Sequence, residues 1–192
     1  PCTYAPSRPA PELPTASGRG PHGRQRVLAL SGYVQSGILF IERAGGEILQ
    51  TIDQKAAFIG LTFSPDGKTL FAAGGNEDLV YVYRWENTRA VDDGTIVLRT
   101  KKDPKADGAS YPAGLACSPD GRYLYVAENL GDAVAMIDLR TRGLVRRMLT
   151  DRYPYAVVAT SDTLYVPCWG DDVVDVFHGD RRAPIPVGRH PL

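Results

Sequence analysis

Side chains able to act as a general base are few, because the 192-residue chain has only three histidines. His22 lies in a proline-rich opening segment, His178 follows an alternating apolar stretch, and His190 lies near the end. A neutral imidazole acts as a base only beside a nucleophile and an orienting acid, and Asp175 is a weak candidate for that acid. The sequence contains no GxSxG, HExxH or P-loop spacing. These patterns predict no catalytic residue.

Pairs of adjacent acids offer oxygen ligands of the kind that Ca²⁺ prefers. They are Glu77-Asp78, Asp92-Asp93 and Asp171-Asp172. None of the pairs fits the EF-hand or the nonapeptide calcium pattern. Asp78, Asp132 and Asp172 instead recur at one position of a repeat, which favours a role in ending a turn and setting the register of the next strand. We therefore predict neither a metal ion nor a cofactor.

The cysteines give no sign of a metal site or a disulfide framework. The chain has three, Cys2, Cys117 and Cys168, and no CxxC spacing. A structural zinc site needs clustered ligands, and an odd number of cysteines leaves at least one thiol free. The redox state of the three thiols stays open.

Composition excludes two classes of partner. The 22 basic and 22 acidic residues give a formal net charge of zero, whereas nucleic-acid-binding proteins normally carry a basic excess. No apolar run approaches the roughly 18 residues of a membrane-spanning helix. The 43% hydrophobic and 23% charged content is ordinary for a globular protein. We expect neither nucleic-acid binding nor a membrane span.

An internal repeat positions these side chains. The motif Ser-Pro-Asp-Gly at 64–67 returns at 118–121, and each copy leads to a polar turn ending in aspartate and then to an alternating strand. The pair Tyr111-Pro112 returns 42 residues later as Tyr153-Pro154. Periods of about 40 residues with several short strands are typical of β-propeller blades. Pro-Asp-Gly has turn chemistry, because Pro fixes φ, Asp caps the turn and Gly accepts positive φ.

The repeat predicts an all-β fold, a β-propeller whose blades have four antiparallel strands. In the copy that opens at Tyr111, strands are expected at about 113–118, 123–129, 133–139 and 144–150. We expect residues 1–25 to form a Pro-rich irregular lead-in and Lys101–Gly108 to form an inserted loop. The predicted blades occupy residues 26–56, 57–110, 111–152 and 153–189.

The last residues repeat the start of a blade. In Val187–Pro191, the pair His190-Pro191 takes the place of Tyr153-Pro154, so a further blade is expected to start at 190–192. Stacked repeats need neighbours to bury their faces, and propeller sheets are protected only when the ring closes. We therefore expect these four blades to belong to a larger, truncated propeller.

Three stretches carry a family resemblance. They are FSPDGKTLFAAGGNEDLVYVY (63–83), YPAGLACSPDGRYLYVAENLGDAVAMIDL (111–139) and YPYAVVATSDTLYVPCWGDDVVDVF (153–177). They resemble the YVTN-repeat β-propellers of the YncE-like group, which are similar to WD40 repeats. The resemblance is closest to the propeller region that precedes alkaline-phosphatase-like phosphoesterase domains in bacterial proteins. Residues 1–25 depart from the family pattern.

The resemblance implies a setting and a division of labour. It implies a periplasmic or extracellular bacterial protein, with any hydrolytic chemistry in a downstream phosphoesterase domain. The family's metal ligands belong to that domain and correspond to no position in this chain.

Propeller topology also predicts a binding face. In an up-and-down blade, the loops between the second and third strands lie at the same end as the connections between blades. Ligand sites favour the mouth of the central channel, where loops from several blades converge, and large aromatic and charged side chains are typical anchors. The residues expected to share this face are Asn76, Glu77, Tyr111, Asn129, Arg152, Tyr153, Trp169, Asp171 and His190.

Three functional hypotheses follow. The first is a non-catalytic propeller scaffold that binds a protein partner, an attached catalytic domain or a small-molecule ligand at the channel mouth. The alternative is a propeller hydrolase of the lactonase type, which acts on a small-molecule lactone. The third places this region as the accessory domain of a phosphoesterase.

Overall fold

The structure consists of four sheets, each with four antiparallel strands in sequential order. It is a computed structural model that describes residues 15–17, 27–32, 37–56, 58–99, 110–189 and 191. Blade 1 contains β1 (Thr15–Ser17), β2 (Val27–Gly32), β3 (Gly37–Glu42) and β4 (Ile48–Asp53). Blade 2 contains β5 (Leu61–Phe63), β6 (Thr69–Ala73), β7 (Leu79–Glu86) and β8 (Arg89–Val97). Blade 3 contains β9 (Pro112–Cys117), β10 (Tyr123–Glu128), β11 (Ala133–Asp138) and β12 (Gly143–Leu149). Blade 4 contains β13 (Val158–Ala159), β14 (Leu164–Cys168), β15 (Val173–His178) and β16 (Arg181–Pro186).

The predicted all-β propeller architecture is confirmed. In blade 3 each observed strand lies within a residue of the predicted bounds at either end. The helical content of the described residues is a single 3₁₀ turn at Gly75–Glu77. No helix in this part of the chain has the length and apolar character needed to cross a membrane.

One strand falls where an irregular segment was expected. β1 lies inside the lead-in assigned to residues 1–25 and pairs antiparallel with β2, with Thr15 opposite Leu30. Its three residues, Thr-Ala-Ser, are too few to show a strand period. Pairing with β2 supplies their backbone hydrogen bonds. The inserted loop expected at Lys101–Gly108 lies outside the described residues.

The Ser-Pro-Asp-Gly turns have the predicted chemistry. The Ser64 hydroxyl donates to the carboxylate of Asp66 at 2.6 Å, and that carboxylate also accepts the Lys68 N–H at 3.0 Å. Gly67 has a φ of 69°, which glycine adopts at little cost. Residues 118–122 repeat this arrangement in blade 3.

Three apolar clusters lie between successive blades. Val80 and Val82 of blade 2 are 0% and 1% exposed, so the predicted alternation does place one face of β7 against its neighbour. The cluster between blades 2 and 3 includes Phe71, Val80, Val82, Ile96, Leu115, Leu124, Val126 and Ile137. Equivalent clusters join blade 1 to blade 2 and blade 3 to blade 4.

Glycine permits close approach where the first strands of neighbouring blades begin. A Cβ on Gly60 would lie 1.9 Å from the Ala113 carbonyl oxygen, and a Cβ on Gly114 would lie 2.4 Å from the Ala156 Cα. The Gly114 N–H donates to the Tyr155 carbonyl at 3.0 Å. Blades 2, 3 and 4 therefore meet backbone to backbone at these positions.

Candidate binding face

The loops of blades 2, 3 and 4 separate into two ends. One end carries the β6–β7, β10–β11 and β14–β15 loops together with the connections between blades. We call it the connection face, made of 74–78, 129–132 and 169–172 with Phe58, 110–111 and 150–157. The other end carries the Ser-Pro-Asp-Gly turns and the hairpins at 87–88, 139–142 and 179–180, and we call it the hairpin face.

Two of the recurring aspartates tie the connections between blades to these loops. Asp78, Asp132 and Asp172 all have left-handed φ values, between 48° and 55°. The Asp78 carboxylate accepts the backbone N–H groups of Ser110 at 2.9 Å and Tyr111 at 3.0 Å. That of Asp132 accepts the Tyr153 N–H at 3.0 Å. Two of the three acids predicted to act structurally, Asp78 and Asp132, therefore bind backbone donors of the connections.

Arg152 and Asp171 form the main charged pair of the connection face. The guanidinium donates to the Asp171 carboxylate from Nη2 at 2.6 Å and from Nε at 3.0 Å, and Nη2 also donates to the Gly170 carbonyl. The Arg152 backbone N–H donates to the same carboxylate at 2.8 Å. These bonds lower the pKa of Asp171 and raise that of Arg152. The Arg152 side chain stays 63% exposed, so it presents a fixed charge to solvent.

Aromatic rings from three connections and one loop meet beside this pair. Tyr155 stacks on Trp169 with ring centroids 4.0 Å apart and planes 11° apart. Phe58 contacts Tyr111 edge-on at 5.0 Å and Tyr155 edge-on at 6.0 Å. We call Phe58, Tyr111, Tyr155 and Trp169 the aromatic row. All four are half-buried, so the row combines a packed side with a solvent-facing side.

The remaining predicted residues flank the row. Glu77 pairs with Lys55 at 2.9 Å, and Asn76 beside it is exposed. The Asn129 side-chain amide donates to the Pro154 carbonyl at 3.1 Å, which ties the β10–β11 loop to the next connection. Tyr153 is 46% exposed. The predicted residues that the structure describes therefore all lie at the connection end of their blades, and His190 lies outside the described residues.

Sequence reasoning missed two members of the aromatic row, Phe58 and Tyr155. The repeat aligns Tyr155 with Ala113 and Trp169 with Asn129. A bulky aromatic thus replaces a smaller residue at two aligned positions of one blade. That double departure from the repeat is the signal that would have found Tyr155.

A buried carboxylate joins blades 2 and 3 behind the connection face. Glu128, at the end of β10, is 0% exposed and accepts two bonds from Arg147, from Nε at 2.6 Å and from Nη2 at 3.0 Å. The Ser110 hydroxyl donates to the same carboxylate, and Arg147 also donates to the Leu98 carbonyl. Glu128 is therefore fully engaged in holding the connection.

Blade 4 holds a second buried acid, Asp175. It accepts the Arg182 Nε–H at 2.7 Å and the Asp151 N–H at 2.8 Å, and the Cys168 thiol lies 3.6 Å away. Burial, with the Asp175 charge, raises the Cys168 pKa to about 12. Burial likewise raises the Cys117 pKa to about 12. Both thiols are free and protonated at neutral pH, and the thiol is a poor nucleophile.

His178 lies on the hairpin face, at the far end of blade 4 from Arg152. Its Nδ1 is 3.0 Å from the Thr163 hydroxyl, within the turn that joins β13 to β14. Asp175 bonds to Arg182 and Asp151, as described above. Within the described residues, no group of three or more His, Cys, Asp and Glu side chains is placed to hold a metal ion.

A groove of about 340 Å³ opens on the hairpin face between blades 2 and 3. Both Ser-Pro-Asp-Gly turns and Arg142 line it. Hydrogen bonds from Ser64 and Ser118 hold the pKa values of Asp66 and Asp120 below the usual range. Arg142 bonds to Asp93. The polar groups of the groove thus serve its turns and hairpins.

Comparison with known proteins places the fold in a family. A sequence profile described as lactonase, seven-bladed β-propeller, matches residues 60–183, which is more than half of the chain. The chain belongs to this family. No curated protein gives a significant match.

Solved structures with a fold similar to that of this chain carry different names. Hydrazine synthase from Kuenenia stuttgartiensis is 20% identical with a TM-score of 0.68, and the alignment covers 96% of this chain and 53% of that one. A 6-phosphogluconolactonase assigned as putative from Bacteroides uniformis is 20% identical with a TM-score of 0.70, covering 90% and 54%. Virginiamycin B lyase from Staphylococcus aureus is 14% identical with a TM-score of 0.67, covering 91% and 56%. The chain thus spans about half the length of these structures, and the likeness shows the fold alone.

Proposed function

We propose that this part of the molecule is a non-catalytic binding scaffold that uses its connection face. The observation that carries the proposal is the stacked pair Tyr155 and Trp169. At the two aligned positions blade 3 has the smaller residues Ala113 and Asn129. A blade therefore forms without this aromatic pair. Aromatic side chains beside a fixed charge are typical anchors of binding surfaces.

The binding partner in this proposal has a flat or apolar part and a polar part. The aromatic row offers π-faces, and the exposed Arg152 guanidinium offers N–H donors held in place by Asp171. A small molecule at the channel mouth, a protein partner or an attached catalytic domain can present these groups. The resemblance to propellers that precede phosphoesterase domains supports the last of these, in a periplasmic or extracellular setting.

Tryptophan fluorescence tests the scaffold proposal. The chain has two tryptophans, and Trp85 packs between Phe40 and Phe63, away from the connection face. In a Trp85→Phe variant, Trp169 is the remaining tryptophan. Titration with a library of sugars, sugar acids and aromatic compounds should change its emission for compounds that bind the face.

A triple variant identifies the surface that binds. Replacing Arg152 and Tyr153 by Ala and Trp169 by Asn should abolish binding measured by calorimetry. A matched pair, Arg122→Ala with Tyr123→Ala, removes a cation–π pair on the hairpin face and should leave binding unchanged. A ligand bound equally by the triple variant would contradict the proposal.

A second candidate is hydrolysis of a lactone. It is supported by the family match and by the neighbour whose name contains 6-phosphogluconolactonase. In this candidate the connection face binds the sugar ring on the aromatic row and its anionic group at Arg152.

A lactone assay separates the two candidates. Hydrolysis of 6-phosphogluconolactone and of δ-gluconolactone is followed by proton release against the spontaneous rate. Scaffold function predicts no increase above that rate. Acceleration by the chain that the triple variant loses would favour the lactonase candidate instead.

A further inference from the structure

Acids outnumber bases on the connection face, although the whole chain is neutral. Among the residues that define this face Arg152 is the one base, and it stands against six acids, Glu77, Asp78, Asp132, Asp151, Asp171 and Asp172. Two bases from outside the face pair with these acids, Lys55 with Glu77 and Arg182 with Asp151. Counting them, acids still exceed bases by three. The excess is the same when the buried acids Glu128 and Asp175 are counted with Arg147 and Arg99. Such a surface repels an anion and attracts a cation.

The aromatic row turns a corner beside this charge. The ring of Phe58 is tilted 74° from that of Tyr111 and 81° from that of Tyr155, with centroids 5.0 Å and 6.0 Å away. Trp169 stacks on Tyr155 and extends the row. A cation on the solvent-facing side of such a corner contacts the negative faces of two rings at once, as in the aromatic cages that bind quaternary ammonium groups.

A hydrogen-bond donor lies at the Trp169 end of the row. The Gly170 N–H donates to the Arg152 carbonyl at 3.0 Å, so Arg152 lies beside the loop that carries the indole. The bonds that hold the guanidinium use Nε and Nη2, so within the described residues Nη1 keeps its N–H donors for a ligand. Asp171 balances the charge of Arg152, so this donor does not reverse the acidity of the face. The row and the donor together fit a compact cation that carries an oxygen acceptor.

We propose that the connection face binds methylated ammonium compounds that carry a hydroxyl or carboxylate oxygen, with the ammonium group on the aromatic row and the oxygen at Arg152. This inference rests on the proposed function and names the ligand class of the same face. A primary ammonium group is strongly hydrated, so methylation lowers the cost of bringing the charge against the rings. A phosphorylated sugar, by contrast, would bring negative charge to an acidic surface.

Two compounds of the same shape test the role of the charge. Choline and 3,3-dimethyl-1-butanol differ in the atom that carries the three methyl groups, which is a positively charged nitrogen in choline and a neutral carbon in the alcohol. Both are titrated into the full chain at constant ionic strength, and binding is measured by calorimetry. The dissociation constant of choline should be lower than that of the alcohol by about fivefold or more, because the alcohol has no cation–π attraction.

The outcomes separate this inference from the proposed function. Equal binding of the two compounds overturns the inference and leaves the scaffold proposal standing, because the face would then select apolar shape without charge. Tighter binding of glucose 6-phosphate than of choline overturns the inference in favour of an anionic ligand. A face that binds neither choline nor the alcohol also overturns it, while the library of sugars and aromatic compounds decides the scaffold proposal by itself.

Variants of one ring separate cation–π attraction from simple packing. Tyr155→Phe keeps the ring and should hold the choline affinity within about twofold, whereas Tyr155→Leu should weaken choline about fivefold and leave the alcohol unchanged. Tyr123→Leu, on the hairpin face, is the matched control and should bind choline as the unmodified chain does. Equal losses for both compounds in Tyr155→Leu would assign the ring to packing and overturn the inference. Circular dichroism checks that each variant folds, and the comparison of the two compounds on the unmodified chain does not depend on the variants.

Discussion

Blades 3 and 4 have the same backbone plan and different side chains on the connection face. In each blade the loop between the second and third strands ends with an aspartate of left-handed φ, which is Asp132 in blade 3 and Asp172 in blade 4. Blade 3 carries Asn129 in that loop, and its amide serves the neighbouring connection. Blade 4 carries Trp169 at the same position, which stacks on Tyr155. Residues shared by the copies build the scaffold, and residues that depart from the repeat shape the surface.

The two blades also place their buried acids differently. Blade 3 has Glu128 at the end of its second strand, where blade 4 has Cys168, and blade 4 has Asp175 in its third strand, where blade 3 has Ala135. Each acid is bonded to an arginine of its own outer strand. Similar ion pairs have thus arisen at unequal positions, and each ties a connection to its blade.

The largest effect is expected where the two blades touch. Gly114→Ala should lower the free energy of unfolding by about 3 kcal/mol or more, because the added Cβ meets the backbone of blade 4 and the sheets must move apart. Its distance to the Ala156 Cα would be 2.4 Å. Chemical denaturation followed by circular dichroism measures the change.

Gly188→Ala is the control, since a Cβ there meets nothing within 4 Å. Its unfolding free energy should match that of the unmodified chain. Equal stability of the two glycine variants would show that the blades are not in the close contact described.

Such contacts mark how far the sequence predicts the fold. Ser-Pro-Asp-Gly copies and Tyr-Pro pairs predict blade number and strand positions, because turn chemistry and strand alternation act within a few residues of chain. β1 escaped prediction because three residues show no period. Its pairing with β2 is a tertiary contact.

The next largest effect is expected for the buried ion pairs, which blades 3 and 4 hold at different positions. Arg147→Ala removes hydrogen-bond donors from the buried Glu128 carboxylate. The variant should lower the free energy of unfolding by about 2–3 kcal/mol, which is somewhat less than the loss expected for a fully buried ion pair. The Arg147 side chain is 32% exposed, so water restores part of the loss. Denaturation at neutral pH measures the cost.

The double variant Arg147→Ala with Glu128→Gln sharpens this result. Removing the charge of Glu128 should recover part of the lost stability, because a neutral amide is less costly to bury. A double variant less stable than Arg147→Ala alone would argue against an uncompensated charge.

A smaller effect is expected from the aspartate that recurs at the same position in both blades. Asp132→Ala should lower the free energy of unfolding by about 1–2 kcal/mol. The variant loses the hydrogen bond to the Tyr153 N–H, and it places at positive φ an alanine whose side chain cannot form a hydrogen bond. Asp132→Gly relieves the backbone strain and loses only the bond, so its cost should be lower. Stability that is equal in the Ala and Gly variants would assign the whole effect to the hydrogen bond.

The sequence predicts which end of the blades carries the candidate face, but it predicts only some of the side chains on that face. Topology alone places Asn76, Asn129 and Arg152 at one end, because strand direction fixes which loops share an end. The contacts of Phe58 with Tyr111 and Tyr155 depend on how neighbouring blades pack, and no spacing in the sequence encodes that distance.

The smallest effect concerns the hairpin face, where the blades differ in turn length. In blade 3 a hydrogen bond from Ser118 is the main cause of the lowered Asp120 pKa, whereas in blade 4 Thr163 and then Thr160 lower that of Asp162. Ser118→Ala should raise the Asp120 pKa toward the ordinary aspartate value of 3.8. Thr160→Val should raise the Asp162 pKa less, because the Thr163 hydroxyl still donates to that carboxylate. Carboxyl chemical shifts followed by NMR from pH 2 to 6 measure both, over a span of about two units either side of an ordinary aspartate pKa.

Because the folded-state pKa of Asp120 lies below its unfolded value, its contribution to stability is present above pH 3.8 and is lost as the pH falls through the folded pKa. Ser118→Ala should therefore flatten the acid limb of the stability curve. Thr160→Val should leave that limb nearly unchanged. Equal pKa shifts in the two variants would mean that the same number of hydroxyl groups bonds to the aspartate in each turn. That result would contradict the geometry, in which one hydroxyl bonds to Asp120 and two bond to Asp162.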